Sequence, residues 1–289
     1  MRTAVRIAVA TVSVLAIAAF IASRMGEKGT PAPDVPTARP IRVLPPDSVI
    51  AGPVDTQATI GAYTLRVLRD TAAGDQIVDI ARAGHRVFAV RAFGARLELV
   101  GRDLTGDRSP DVVVRQYSGG MHCCSQATVL GLGPTLINYG TIDGADGDIE
   151  FDDIDNDGVM EAKVNDFRFA YWRDYAFVET QAPDVILRFR AGGYQPACDL
   201  MREDPPDNAT LNRRARELTD GWHAGNPPAE FWGYAVDLIY DGQADLAWRW
   251  LDRAWPRAIG GKDEFMKDLR EKLRGSPCWS PPPGDRMVG

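Results

Sequence analysis

Hydrophobic and polar positions change their spacing once along this chain. From Ile60 to about Arg190 the apolar runs are short, alternating and bounded by glycine and aspartate. Tyr63, Leu65 and Val67 alternate with polar residues. Further runs cover 87–93, 97–100, 112–114, 127–130, 136–142, 149–151, 162–169, 176–180 and 185–189. About ten short strands without an intervening long helix predict an antiparallel sheet architecture. From about Ala197 the spacing becomes helical. Leu211, Ala215, Leu218 and Trp222 follow the N-cap residue Asp207. A second helix starts at Asn226-Pro227, carries Phe231, Ala235 and Leu238, and breaks at Asp241-Gly242. A third carries Leu246, Ala247, Trp250, Leu251 and Ala254. A fourth carries Phe265, Leu269 and Leu273 and ends near Gly275. The expected fold is mainly β with C-terminal α: antiparallel blade-like sheets plus a small helical cap that six of the seven tryptophans fill.

The first 58 residues carry a different pattern. Arg2 and Arg6 precede an uncharged run over 7–22 that ends at Arg24. Sixteen residues suit the apolar core of a secretory signal better than a full span of ~20 residues. Ala16-x-Ala18 and Ile21-x-Ser23 are imperfect cleavage sequences, so an uncleaved inner-membrane anchor stays open. No cysteine follows the run to carry a lipid. Prolines 31, 33, 36, 40, 45 and 46 make the next stretch a semi-rigid tether. The expected organisation is a signal or anchor at 1–24, a Pro-rich linker at 25–58, a β domain at 59–196 and a helical domain at 197–289. The body is then periplasmic or secreted, and touches a membrane only through its N-terminal segment.

Charge narrows the partners. The chain has 289 residues, 33 basic and 40 acidic, for a net charge of −7. Without residues 1–24, which hold three arginines and no acids, the balance is 30 − 40 = −10. A body this acidic is a poor candidate for binding phosphate backbones, so nucleic acid is not expected, and a protein or glycan ligand is. It tolerates bound cations.

The most specific motif is acidic. Asp153, Asp155, Asp157 and Glu161 stand at positions 1, 3, 5 and 9 of a loop with Gly158 at position 6. Ca²⁺ takes six to eight oxygens at ~2.3–2.6 Å, and carboxylates at every second residue of a tight loop can converge on it. Gly158 permits the positive φ that turns the Val159 carbonyl toward the ion. The helix–loop–helix type of calcium loop needs glutamate at position 12, where this chain has Val164, and the flanks are strands. A second copy lies 50 residues earlier, with Asp103, Thr105, Asp107 and Asp111, and with Arg108 in place of the glycine. The later copy is expected to bind Ca²⁺ more tightly. Without metal, both are Asp-capped turns.

These loops resemble the FG-GAP or VCBS repeats of extracellular β-propeller blades. The resemblance rests on Asp103, Asp107 and Asp111, then Asp153, Asp155, Asp157, Gly158 and Glu161, and covers about residues 60–190. It implies Ca²⁺ as the cofactor. A propeller needs at least four blades, and 130 residues supply at most three, so an incomplete propeller or two or three packed sheets is expected. Residues 233–255 also resemble one tetratricopeptide hairpin, through Ala235, Leu238, Gly242, Ala247, Leu251 and Ala254. One unit does not make a solenoid.

The cysteines leave alternatives open. Cys198 and Cys278 bracket the helical half and are expected to form a disulfide outside the cytoplasm. His122, Cys123 and Cys124 admit a structural role, a vicinal disulfide, or a thiol or metal site. The string Ser118-Gly-Gly-Met-His-Cys-Cys124 also resembles one that recurs beside such loops in exported bacterial proteins. Phe167, Phe169, Tyr171, Trp172, Tyr175 and Phe177 form a dense aromatic cluster. It is expected to pack a core, the first three sharing one strand face; an exposed strip would suit sugar or peptide stacking. No nucleophile, zinc or phosphate-loop motif occurs. The function expected is an exported calcium-binding β-repeat protein that acts as a binding or scaffold module without catalysis. The alternatives are an extracytoplasmic metal-dependent enzyme and a thiol- or metal-handling protein.

Overall fold

The computed structural model describes residues 38–121 and 123–278. The expected signal segment, the linker up to residue 37, and His122 lie outside the described residues; the rest of the segment expected as linker contributes the strand Arg42–Val43 and the start of the strand Val54–Ile60 to the first sheet. Among the described residues, thirteen strands form three antiparallel sheets, and four helices follow. The first sheet has the order β1-β5-β4-β3-β2, with β1 (Arg42–Val43), β2 (Val54–Ile60), β3 (Tyr63–Asp70), β4 (Asp75–Arg82) and β5 (His85–Ala92). The second is β6 (Gly94–Glu98), β7 (Asp111–Gly120), β8 (Cys123–Leu132) and β9 (Leu136–Ala145), in chain order. The third is β10 (Glu150–Asp152), β11 (Glu161–Asn165), β12 (Asp184–Arg190) and β13 (Gly193–Pro196), also in chain order. Strands β2–β5, β6–β9 and β10–β13 are therefore three consecutive four-stranded meanders. The described residues close no barrel.

The middle sheet is covered on both faces, which explains its continuous apolar runs. Alternate side chains of β7 point to opposite faces. Val112 and Val114 join the core of the first sheet with Leu65, Val78 and Val90. Val113 joins a second core with Ala162 and Val185 of the third sheet. Buried polar residues in the first sheet are paired. Asp79 on β4 bonds Arg86 Nε at 2.5 Å and pairs also with Arg66.

The helices are α1 (Asn208–Thr219), α2 (Ala229–Tyr240), α3 (Ala244–Ala254) and α4 (Lys262–Leu273). Asp207 caps α1 by accepting from the Thr210 amide at 2.7 Å. Asp241 ends α2, and Gly242 takes φ +80 in the turn to α3. The helices share one core with the second and third sheets, centred on Trp232, Phe231, Leu251, Phe265 and Leu269. Trp172 packs edge-on against Trp232 at 4.9 Å, and with Phe169 and Tyr175 it belongs to the core, whereas Tyr171 is exposed and Phe167 and Phe177 stack on each other outside it. Its strand assignment needs correcting. Phe167–Phe169, Trp172–Asp174 and Phe177–Glu179 are short 3₁₀ turns, as is the segment read as a strand at 176–180. The positive φ of Tyr171, Arg173 and Asp174 breaks the extended backbone. Phe169 is buried and Tyr171 is 60% exposed, so alternation does not hold.

Cys198 and Cys278 form a disulfide with Cα atoms 5.7 Å apart. It ties the chain after β13 to the chain after α4. Cys123 is bonded to Cys124 across a cis peptide at the start of β8.

Candidate metal centre

Each acidic loop joins the first two strands of its sheet: residues 99–110 between β6 and β7, and 153–160 between β10 and β11. The same side-chain hydrogen bonds close both. Asp103 accepts from the Arg108 amide at 2.8 Å, and Asp153 from the Gly158 amide at 3.1 Å. Asp107 accepts from Ser109 at 2.7 Å, and Asp157 from Val159 at 2.8 Å. Asp111 accepts from Leu104 at 2.8 Å, and Glu161 from Ile154 at 3.1 Å. The backbone repeats too. Position 4 is left-handed in both (Gly106 φ +78, Asn156 φ +60), and so is position 6 (Arg108 φ +66, Gly158 φ +90). Arg108 thus holds a conformation that an L side chain disfavours by about 1 kcal/mol. The loops also touch, since the Met160 amide donates to the Leu104 carbonyl at 3.0 Å.

The side chains differ in how they converge. Asp153, Asp155 and Glu161 each bring a ligand oxygen within 4.8 Å of the others, the one such acidic group of three among the described residues. Asp153 Oδ1 is buried without a hydrogen-bond partner, and Glu161 is fully buried. A hard divalent cation fits this donor set, because it prefers carboxylate oxygens and would satisfy the orphaned atom. Asp157 stands outside the group; its carboxylate closes the turn onto Val159. In the earlier loop Asp103, Asp107 and Asp111 do not converge. Thr105 turns its hydroxyl to Asp111 Oδ2 at 3.3 Å, and Asp111 Oδ1 is buried without a partner. Burial, with Asp107 and Asp103 adding to it and the Leu104 amide and Thr105 hydroxyl opposing it, leaves the Asp111 carboxyl pushed up to about 6.

Three residues outside the motifs complete the surroundings. Tyr139 on β9 donates to Asp107 Oδ2 at 3.1 Å, and Tyr194 on β13 donates to the Met160 carbonyl at 3.0 Å. Arg188 on β12 donates through Nε to Glu161 Oε1 at 3.2 Å and pairs with Asp155. These partners lie about thirty residues from the loops and meet them only through strand register. Both tyrosines also line a cleft of about 410 Å³ between β9 and the third sheet, with Asn165 and Arg168. Phe189 sits between them, 5.0 Å from Tyr139 and 5.7 Å from Tyr194.

Cys123 and Cys124 are paired as a vicinal disulfide, the oxidised form of an adjacent dithiol. The described residues contain no free cysteine. They also contain no helix long and apolar enough to cross a membrane. No family model matches the chain, and neither does any curated protein or solved structure.

Proposed function

We propose that this is an exported calcium-binding β-repeat protein, a non-catalytic binding module whose acidic loops brace a ligand cleft. The carrying observation is the convergence of Asp153, Asp155 and Glu161 within 4.8 Å around an orphaned Asp153 oxygen. The paired four-stranded meanders, each with its acidic loop between strands one and two, support the FG-GAP or VCBS resemblance. The role of the metal is structural. It neutralises carboxylates at the loop that holds the Tyr194 hydroxyl, while the sister loop holds Tyr139. The two tyrosine rings, Asn165 and Arg168 offer stacking faces and polar groups, which suit a glycan or a polar peptide. Calorimetric titration of chelator-treated protein with CaCl₂ tests the reading. It expects a saturable heat that disappears in Asp153→Asn. No heat in either protein rejects calcium binding.

A further inference from the structure

The register of the two sheets places different residues opposite the equivalent acids. In the second sheet Asp111 pairs across β7 and β8 with Gly131. In the third, Ala162 pairs with Leu187, which puts Glu161, one step along, opposite Arg188. One position of the repeat is therefore glycine in one sheet and arginine in the other. The space at Gly131 is taken by Tyr139, whose ring lies 2.8 Å from where a Cβ would stand. The Asp111 carboxylate, fully buried, keeps its Oδ1 without a partner there. At Arg188 the guanidinium instead fills the loop. Nη2 pairs with Asp155, Nε reaches Glu161 at 3.2 Å, and Nη1 reaches Asp199 Oδ2 at 3.4 Å, with the side chain only 17% exposed.

Asp155 and Glu161 are two of the three acids that converge. A guanidinium is planar and carries its positive charge and donors in a fixed fork. A calcium ion needs the same oxygens free, in a shell ~2.3–2.6 Å away. Both cations cannot hold the same carboxylate edges, and their charges repel. We propose that Arg188 is a built-in occupant of the Asp153–Glu161 loop, which a divalent cation must displace to bind. This rests on the calcium reading above. Asp199 already faces the guanidinium and also lies 3.6 Å from Arg190, so it offers the displaced side chain an anion just outside the loop. Arginine thus holds the loop together when metal is scarce and raises the calcium concentration at which metal takes over. Among the described residues, no guanidinium pairs with the acids of the sister loop, which has Gly131 at that position.

The test is calorimetric titration of the full chain with CaCl₂, comparing wild type, Arg188→Gln and Arg188→Lys. The second-loop site is identified as the heat that Asp153→Asn removes. Arg188→Gln is expected to bind at that site at least tenfold more tightly than wild type. Its melting temperature should fall in chelator and recover in calcium. Arg188→Lys keeps the charge but not the fork, so it should lie between the two; it also carries the test if Arg188→Gln does not fold. Affinity in both variants equal to or weaker than wild type overturns the proposal. So does Arg188→Lys equal to wild type beside a tighter Arg188→Gln, which is charge repulsion without occupancy. Binding in Arg188→Gln with none in wild type supports it. Absence of binding in every protein overturns the calcium reading, and the proposal with it.

Discussion

Removing the Cys198–Cys278 bond by a double serine substitution should lower stability by roughly 4 kcal/mol. The bond closes a loop of 80 residues, and restoring that loop's freedom to the unfolded chain is worth about this much in the chain-entropy model. The structure argues that the native side stays nearly unchanged. The end of α4 is held independently: Leu273 is fully buried, and Arg168 donates to the Gly275 carbonyl at 3.0 Å and to that of Lys272 at 3.4 Å. The Cα separation of 5.7 Å lies in the ordinary disulfide range, so neither cysteine is drawn out of place. For a domain of this size each kcal/mol moves the melting temperature by ~2–4 °C, so the expected drop is roughly 8–16 °C. Circular dichroism and tryptophan fluorescence should report it together, because the helices share one core with the second and third sheets. Reductant alone is a poorer probe, since it also opens Cys123–Cys124. A drop under about 3 °C would refute the loop-entropy argument. A variant in which tryptophan fluorescence melts well before the β signal would refute the common core.

Other consequences follow from the packing and the charges. Trp232 is fully buried against Phe169, Trp172 and Tyr175, so Trp232→Ala should cost ~3–5 kcal/mol in denaturant unfolding; a loss below 1 kcal/mol would place that side chain outside the core. Asp237 and Asp241 sit together at the C-terminal end of α2. Asp237 is exposed, whereas Asp241 is half-buried, and burial pushes its carboxyl up to about 6 with Glu203 adding to it. A carboxyl raised in the folded state holds its proton better there than when unfolded. Its ionisation therefore lowers stability as pH rises from ~4 to ~6, and the whole penalty is present above that. Asp241→Asn should then melt higher than wild type at pH 7.5 and equally at pH 4; equal melting at both pH values would contradict the assignment.

Much of the architecture is legible in residue order, for identifiable reasons. All four helices follow from apolar spacing between local stops, such as Asp207 at the start of α1 and Gly242 after α2. The acidic loops are legible because their closing hydrogen bonds join residues two to seven apart. Strand β4 escapes notice because Asp79 interrupts its apolar run, and only Arg66 and Arg86, brought alongside by the sheet, make that acid tolerable inside. The 3₁₀ turns over 167–179 look extended because alternating aromatics resemble a strand, while the left-handed residues that break it include no glycine. Arg188, Tyr139 and Tyr194 reach the loops only through pairing register, which hydrophobic pattern alone does not define.

The most direct test of the metal centre compares melting in excess CaCl₂ and in chelator for wild type and Asp153→Asn. Asparagine at 153 can still accept from the Gly158 amide, so the turn survives while one anionic ligand is lost. Metal that binds only the native state adds RT ln(1 + [L]/Kd), about 2.7 kcal/mol at a hundredfold excess over Kd. Wild type should be several degrees more stable in calcium, the variant should lose most of that gain, and the two should melt nearly equally in chelator. Equal melting of wild type in both buffers, or an Asp153→Asn loss as large in chelator as in calcium, would contradict the metal centre and leave the loop an aspartate-capped turn.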